Sequence, residues 1–121
     1  MRKWVRSTVA LIGVVVPTAG AIWADAQPSQ AAENRVDIDD HASYAGQWKF
    51  VPGELTVTRG SSVAWLNTSG QYYHTVTAND GSFDSKHIDT GREWRRTFPQ
   101  AGDFAYHCDP HPWMKGVIHV K

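Results

Sequence analysis

Residues 103–114 read Asp103-Phe104-Ala105-Tyr106-His107-Cys108-Asp109-Pro110-His111-Pro112-Trp113-Met114. The side chains of a β-strand point alternately to its two faces. In the first half of this stretch Phe104, Tyr106 and Cys108 therefore share one face, and the two aromatic residues mark that face as the buried one. The pattern predicts a strand over residues 103–108 that carries Cys108 into the interior at its end, while His107 points away.

The second half of the stretch predicts a rigid loop. Pro110 and Pro112 fix the backbone dihedral φ, which reduces the entropy that the chain loses on ordering. His111 and Met114 follow Cys108 at three-residue intervals, so a tight turn can bring a thiolate, an imidazole and a thioether together. Gly116 then leads the chain into a last strand over residues 117–120.

A second imidazole lies upstream, at His74. It is in phase with Val76, so we expect His74 on the inward face where its strand begins. Two histidines and one cysteine with a weak axial methionine are typical of a blue-copper electron-transfer site. Thiolate and thioether suit Cu(I), whereas imidazole also suits Cu(II), so a mixed set accommodates both oxidation states. The residues indicate one type 1 copper site with His74, Cys108, His111 and Met114 as candidate ligands.

The rest of the chain has the same alternating character. Short apolar and polar alternations begin at Val36, Leu55 and Val63. Turn residues separate these runs, as in Arg59-Gly60-Ser61, Asn79-Asp80-Gly81 and Gln100-Ala101-Gly102-Asp103. Short strands at regular spacing predict an all-β sandwich or barrel, and no helical periodicity competes with them after the N-terminal segment.

The first 26 residues have the features of a secretory signal peptide: basic residues, an apolar stretch over residues 9–23, and the small-residue site Ala24-Asp25-Ala26. We predict cleavage before Gln27 and export to the periplasm or the cell exterior. An uncleaved anchor is the alternative, although Pro17 and Gly20 interrupt a stretch that is short for a span of about 20 residues. Residues 27–34 are expected to form a flexible start, and residues 35–121 a single domain.

Charge and cysteine content narrow the function further. The chain has 12 basic and 12 acidic residues, of which the first 26 contain three and one, so the mature chain has a net charge of −2. This balance gives no reason to expect a nucleic acid partner. Cys108 is the only cysteine, so an internal disulfide is impossible. A lone cysteine in an exported protein is an intermolecular bridge, a reactive thiol or a ligand.

The sequence resembles the cupredoxins over nearly the whole mature chain. The resemblance lies in Phe50-Val51-Pro52, Leu55-Thr56-Val57, Gly60, Val63-Ala64-Trp65-Leu66-Asn67, His74-Thr75-Val76, Phe83-Asp84 and the stretch from Tyr106 to Met114. It is similar to the plastocyanin-like and amicyanin-like groups, and the two-residue spacings after Cys108 and His111 resemble the short amicyanin loop. The resemblance implies an eight-stranded Greek-key β-sandwich with one type 1 copper held by His74, Cys108, His111 and Met114.

The same resemblance implies a small blue copper protein that carries single electrons between redox partners, such as a c-type cytochrome or a dehydrogenase. We expect a monomer without stable membrane association. Two positions depart from the family pattern. Thr75 stands where these proteins usually have an asparagine that ties two ligand loops together and donates to the cysteine sulfur. Residues 41–48 also form a longer link than usual between the first strands.

Other functions fit the residues less well. A cysteine hydrolase would leave Met114 unexplained, and a structural zinc site seldom includes methionine. A periplasmic copper chaperone or storage protein is the alternative function, but the mature chain contains only Met114 and no methionine-rich tract. We expect no enzyme activity. His41, His87 and His119 have no partner at ligand spacing and are expected at the surface. Trp48, Trp65 and Trp94 are expected in or beside the core.

Overall fold

The structure, a computed structural model, describes residues 34–121. The predicted signal peptide and all but the last residue of the predicted flexible start lie outside this part of the chain. The eight strands of the described residues are β1 (Arg35–Asp39), β2 (Lys49–Val51), β3 (Glu54–Val57), β4 (Ser62–Asn67), β5 (Thr77–Ala78), β6 (Glu93–Thr97), β7 (Gly102–His107) and β8 (Lys115–Val120). One short 3₁₀ turn, Ala45–Gln47, lies between β1 and β2.

The strands form two four-stranded sheets. One sheet has the order β2-β1-β4-β6 and the other the order β3-β8-β7-β5. Two of the pairs, β1 with β4 and β3 with β8, are parallel, and the others are antiparallel. The chain passes repeatedly from one sheet to the other, because β3 and β5 lie in the second sheet whereas β2, β4 and β6 lie in the first. The prediction of an all-β Greek-key sandwich of about eight strands is confirmed.

The core forms between the inner faces of the two sheets, as the alternation predicts. Val36 and Ile38 of β1 are fully buried. Trp65 of β4 is also fully buried, and its ring meets that of Tyr106 edge to face with the centroids 5.6 Å apart. The ring of Phe50 also meets that of Tyr106 edge to face, with the centroids 4.8 Å apart. Edge-to-face aromatic pairs stabilise a core beyond the apolar area that they bury.

Gly116 has a packing role that the sequence reasoning did not assign to it. It pairs with Tyr106 across β7 and β8, and a Cβ atom at this position would lie 2.3 Å from Cζ and Oη of the tyrosine. The strand begins at Lys115, two residues earlier than predicted, so Gly116 lies inside it. The tyrosine ring thus occupies the space that a side chain would need.

The hydroxyl of Tyr106 is buried and makes no hydrogen bond within residues 34–121. Burial raises the pKa of this phenol to about 12. Because the hydroxyl has no partner there, the structure supports core packing as the role of Tyr106.

Three connections meet at one end of the sandwich. The Cys108–Met114 loop (residues 108–114) joins β7 to β8, the β1–β2 connection covers residues 40–48, and residues 68–76 lead from β4 towards β5. A hydrogen bond joins the indole of Trp113 to Ala45, and the ring of His74 approaches the sulfur of Cys108. Within the described residues no helix is long and apolar enough to cross a membrane.

Candidate metal centre

The Cys108–Met114 loop is closed by two backbone hydrogen bonds. The amide of Cys108 donates to the carbonyl of Met114 at 3.1 Å, and the amide of Met114 donates to the carbonyl of His111 at 2.9 Å. β7 ends at His107, one residue before the predicted end. Cys108 and Met114 are buried, whereas His111 is partly exposed. The alternation in β7 therefore orients Cys108 inward as predicted, and the loop returns Met114 to the interior.

His74 is fully buried, but the strand assigned to it was wrong. β5 begins at Thr77, three residues later. His74 instead lies in an irregular segment that is held by an isolated bridge, in which its amide and carbonyl bond to Ile88 at 3.2 and 2.8 Å. Because Thr75 is buried as well, the period-two alternation does not apply at this point. The long-range bridge, and not a regular strand, fixes the position of His74.

The side chains of His74, Cys108 and His111 converge on one point. The Sγ atom of Cys108 lies 3.7 Å from Nδ1 of His74 and 3.5 Å from Nδ1 of His111, and the two nitrogens are 3.2 Å apart. A triangle with these sides has a circumradius of about 2.0 Å, close to the bond lengths of about 2.0 to 2.3 Å that zinc makes to imidazole and thiolate. One thiolate and two imidazoles form a donor set suited to a first-row transition metal such as copper.

In the absence of metal, the surroundings favour the neutral forms of the Cys108 thiol and the His111 imidazole. Burial raises the pKa of the Cys108 thiol, while the amide of Thr75 opposes the shift. Burial also lowers the pKa of His111, and the neighbouring His74 lowers it further. A neutral imidazole is ready to bind a metal, whereas the thiol must lose its proton when metal binds.

Thr75 joins the segment of His74 to that of Cys108. Its amide donates to the sulfur of Cys108 at 3.4 Å, and its hydroxyl accepts a bond from the amide of Asp109 at 2.8 Å. These bonds provide the link that the cupredoxin resemblance assigns to an asparagine at this position. Asp109 is half exposed and accepts a bond from the hydroxyl of Thr77 at 3.1 Å. Its carboxylate therefore lies at the surface of the turn.

The other histidines of the described residues lie outside this cluster. His107 bonds to Asn79 and Asp109 on the outer face of β7. His41 bonds to the carboxylate of Asp39. His87 stacks on Tyr73. His119 lies between the carboxylates of Asp103 and Glu54.

The β1–β2 connection contributes two contacts that sequence reasoning missed. Oδ2 of Asp40 lies 3.0 Å from Nε2 of His74, and both side chains are almost completely buried. Trp48 packs on the core as predicted, but its ring also meets that of His111 edge to face at 5.0 Å. The sequence did contain a signal for the burial of Asp40, because positions 36, 38 and 40 lie on the same inward face of a strand.

The exposed edge of the site is aromatic. Trp113 is 45% exposed and Tyr44 is 70% exposed, and together with Ala45 and Gly46 they line a shallow groove. The Trp113 ring also lies 5.5 Å from that of His111. An apolar surface of this kind next to a partly exposed imidazole is suited to brief contact with another protein.

Comparisons with known proteins agree with this geometry. A family profile described as copper binding proteins of the plastocyanin/azurin family matches residues 35–121. Amicyanin from Paracoccus versutus is 28% identical over 98% of this chain and 97% of its own. Plastocyanin from Scenedesmus fuscus is 29% identical over 64% of this chain and 91% of its own.

A solved structure of a reduced amicyanin variant superimposes with a TM-score of 0.62 at 28% identity, and the match covers 75% of this chain and 89% of that one. The profile match includes the whole sandwich together with the convergent sulfur and nitrogen donors. This chain therefore belongs to the plastocyanin/azurin family of copper-binding proteins, the cupredoxins.

Proposed function

We propose that this protein carries single electrons between redox partners through one type 1 copper ion held by His74, Cys108, His111 and Met114. The observation that carries the proposal is the triangle formed by one sulfur and two nitrogen atoms, with sides of 3.2 to 3.7 Å. Copper bound there would supply reversible one-electron chemistry between Cu(II) and Cu(I).

The residues around the triangle hold the donors still. Pro110 and Pro112 restrict the loop, the two backbone bonds close it, and Thr75 ties it to the segment of His74. Donors that barely move between oxidation states keep the reorganisation energy small, which favours fast electron transfer. Met114 is the fourth proposed ligand because its buried side chain follows His111 within the same closed loop.

The partly exposed His111 is the proposed exit for the electron. Its imidazole ring lies 5.5 Å from that of Trp113, which lines the groove together with Tyr44. We propose that a redox protein, such as a c-type cytochrome or a dehydrogenase, docks on this groove through a small and transient interface. The protein itself is proposed to act as a monomeric carrier and not as an enzyme, without stable membrane association.

Burial of the site makes a copper chaperone or storage protein the weaker alternative. His74, Cys108 and Met114 are each at most 1% exposed, whereas metal delivery requires ligands that a recipient protein can reach. The proposed location is the periplasm or the cell exterior. It rests on the signal-peptide pattern of residues 1–26 and on the likeness to amicyanin.

The experiment is visible absorption spectroscopy of the purified mature chain after loading with Cu(II). The wild-type protein should turn intensely blue from charge transfer between the Cys108 sulfur and copper. Cys108→Ser should lose the colour and keep its β-sheet circular dichroism. His107→Gln is the matched control, because its side chain lies next to Cys108 in sequence but outside the triangle, and it should stay blue. A colourless wild-type protein that is fully loaded with copper would overturn the proposal.

A further inference from the structure

Asp40 and His74 form a buried pair at the edge of the proposed copper site. Oδ2 of Asp40 lies 3.0 Å from Nε2 of His74, and the side chains are 4% and 0% exposed. The two residues are 34 positions apart in sequence. Asp40 follows the last residue of β1, and the period-two alternation places it on the same inward face as Val36 and Ile38.

This contact determines which nitrogen of His74 carries hydrogen. An ionised carboxylate can only accept hydrogen bonds, so the ring must donate from Nε2. The unprotonated Nδ1 then faces the other two donors, at 3.7 Å from Sγ of Cys108 and 3.2 Å from Nδ1 of His111. The bond to Asp40 therefore selects the tautomer in which His74 can bind a metal through Nδ1.

The surroundings argue against a purely structural reason for the pair. A buried carboxylate costs several kcal/mol of solvation free energy unless it is well paired, and β1 already has two fully buried apolar residues, Val36 and Ile38, to anchor it. The neighbouring Asp39 avoids this cost, because its side chain is 37% exposed and bonds to the exposed His41. The sequence thus places one of two adjacent carboxylates in the interior, against a proposed ligand.

We propose that Asp40 is a positioning residue of the copper site, which fixes the tautomer and ring orientation of His74 and lowers the reduction potential. The inference rests on the proposed function, since it assigns a role towards the same metal. A carboxylate behind a ligand histidine makes the imidazole a stronger donor. Its negative charge, in surroundings of low dielectric constant, favours the more highly charged Cu(II) over Cu(I).

The test compares Asp40→Asn with Asp39→Asn as the matched control. Both substitutions remove one negative charge from adjacent positions, but only the first removes it from the contact with His74. Voltammetry of the copper-loaded proteins should show a higher potential for Asp40→Asn, by about 59 mV for each tenfold loss of preference for Cu(II). Asp39→Asn should leave the potential close to that of the wild type.

A second variant tests whether Asp40 orients the ring of His74. Asp40→Ala removes the acceptor altogether and should weaken Cu(II) binding by about 10- to 100-fold, the usual effect of losing a partner of a ligand histidine. A purely structural role would lower the melting temperature of the metal-free protein without changing the potential of Asp40→Asn.

The tautomer is measured directly by ¹⁵N NMR of the metal-free wild-type protein. His74 should show a slowly exchanging Nε2–H and an unprotonated Nδ1, a result that does not depend on the behaviour of any variant. The opposite tautomer would overturn the inference, and so would equal potentials for Asp40→Asn and Asp39→Asn. Neither result would affect the blue colour of the wild-type protein, so failure of this inference is distinguishable from failure of the proposed function.

Discussion

The indole Nε1–H of Trp113 donates to the carbonyl oxygen of Ala45 at 2.8 Å, although the two residues are 68 positions apart. The bond connects the Cys108–Met114 loop to the β1–β2 connection. It holds the indole across the groove while leaving nearly half of the side chain exposed. The aromatic surface beside His111 is thus fixed before any partner arrives.

Trp113→Glu should slow electron self-exchange between copies of the protein. Two molecules that meet at this groove would then bring like charges together, and an encounter weakened by about 1.4 kcal/mol corresponds to a tenfold slower exchange. The rate is measured by NMR line broadening of mixed oxidised and reduced protein. Thr58→Glu is the control, because it adds the same charge in the turn after β3, where Val57 pairs with the far end of β8. Equal rates for both variants would place the docking surface elsewhere.

Met114→Gln should keep the blue colour and lower the reduction potential. An amide oxygen is a harder donor than a thioether, so it favours Cu(II). Met114→Leu separates this effect from packing, because it keeps an apolar side chain of similar size in the buried position but removes the donor. That variant should raise the potential, since Cu(I) tolerates three ligands better than Cu(II) does. Shifts in the same direction for both variants, measured by voltammetry, would show that Met114 is not the axial ligand.

Gly116→Ala should destabilise the metal-free fold by about 1 to 3 kcal/mol, the usual cost of overpacking a core. The added methyl group would meet the ring of Tyr106 at 2.3 Å, and that ring is confined by Phe50 and Trp65. Gly70→Ala is the matched control, because nothing lies within 4 Å of its Cβ position. Its effect should stay within about 0.5 kcal/mol. Urea denaturation measures both, and an unchanged free energy of unfolding for Gly116→Ala would contradict the packing role of this glycine.

The contribution of His119 to stability should depend on pH. Its Nδ1 lies 2.7 Å from Asp103 and its Nε2 lies 3.3 Å from Glu54. Hydrogen bonding to Asp103, and then to Glu54, raises the pKa of His119 above its usual value. A raised pKa in the folded state means that protonation favours folding. The contribution is complete below the unfolded pKa of about 6.5 and is lost as the pH rises through the higher folded value.

This dependence is measured as the difference in melting temperature between the wild type and His119→Gln. The difference should be largest in mild acid and should shrink towards alkaline pH. All other residues are the same in both proteins, so the difference reports the contribution of His119. A difference that stays constant, or that grows with pH, would contradict the assigned pairing.

Local alternation predicted the parts of the fold that depend on neighbouring residues. It identified the inward face of β1 from Val36 and Ile38, and it oriented Tyr106 and Cys108 correctly. These predictions succeed because the two faces of a strand are set by a period of two residues, which is visible in the sequence itself.

Predictions failed where contacts between distant segments decide the geometry. His74 was placed at the start of a strand, but its bridge to Ile88 holds it outside one. The sequence predicts Trp48 in or beside the core, but its contact with His111 could not be predicted because no sequence spacing relates the two residues. The inward phase of Asp40 was visible from Ile38, but its partner His74 was not. The assignment of the four ligands themselves remains a proposal that the colour and the potentials will test.

The distance along the chain between His74 and Cys108 gives the copper site a mechanical consequence. The two residues are 34 positions apart, and a disulfide that closes a loop of this size is worth about 4 kcal/mol in the chain-entropy treatment. Small domains often depend on such cross-links, which a chain with one cysteine cannot form internally. A metal bound by both His74 and Cys108 would provide a cross-link between these two segments of the folded chain. Unlike a disulfide, it can be removed by a chelator without a reductant and can then be bound again.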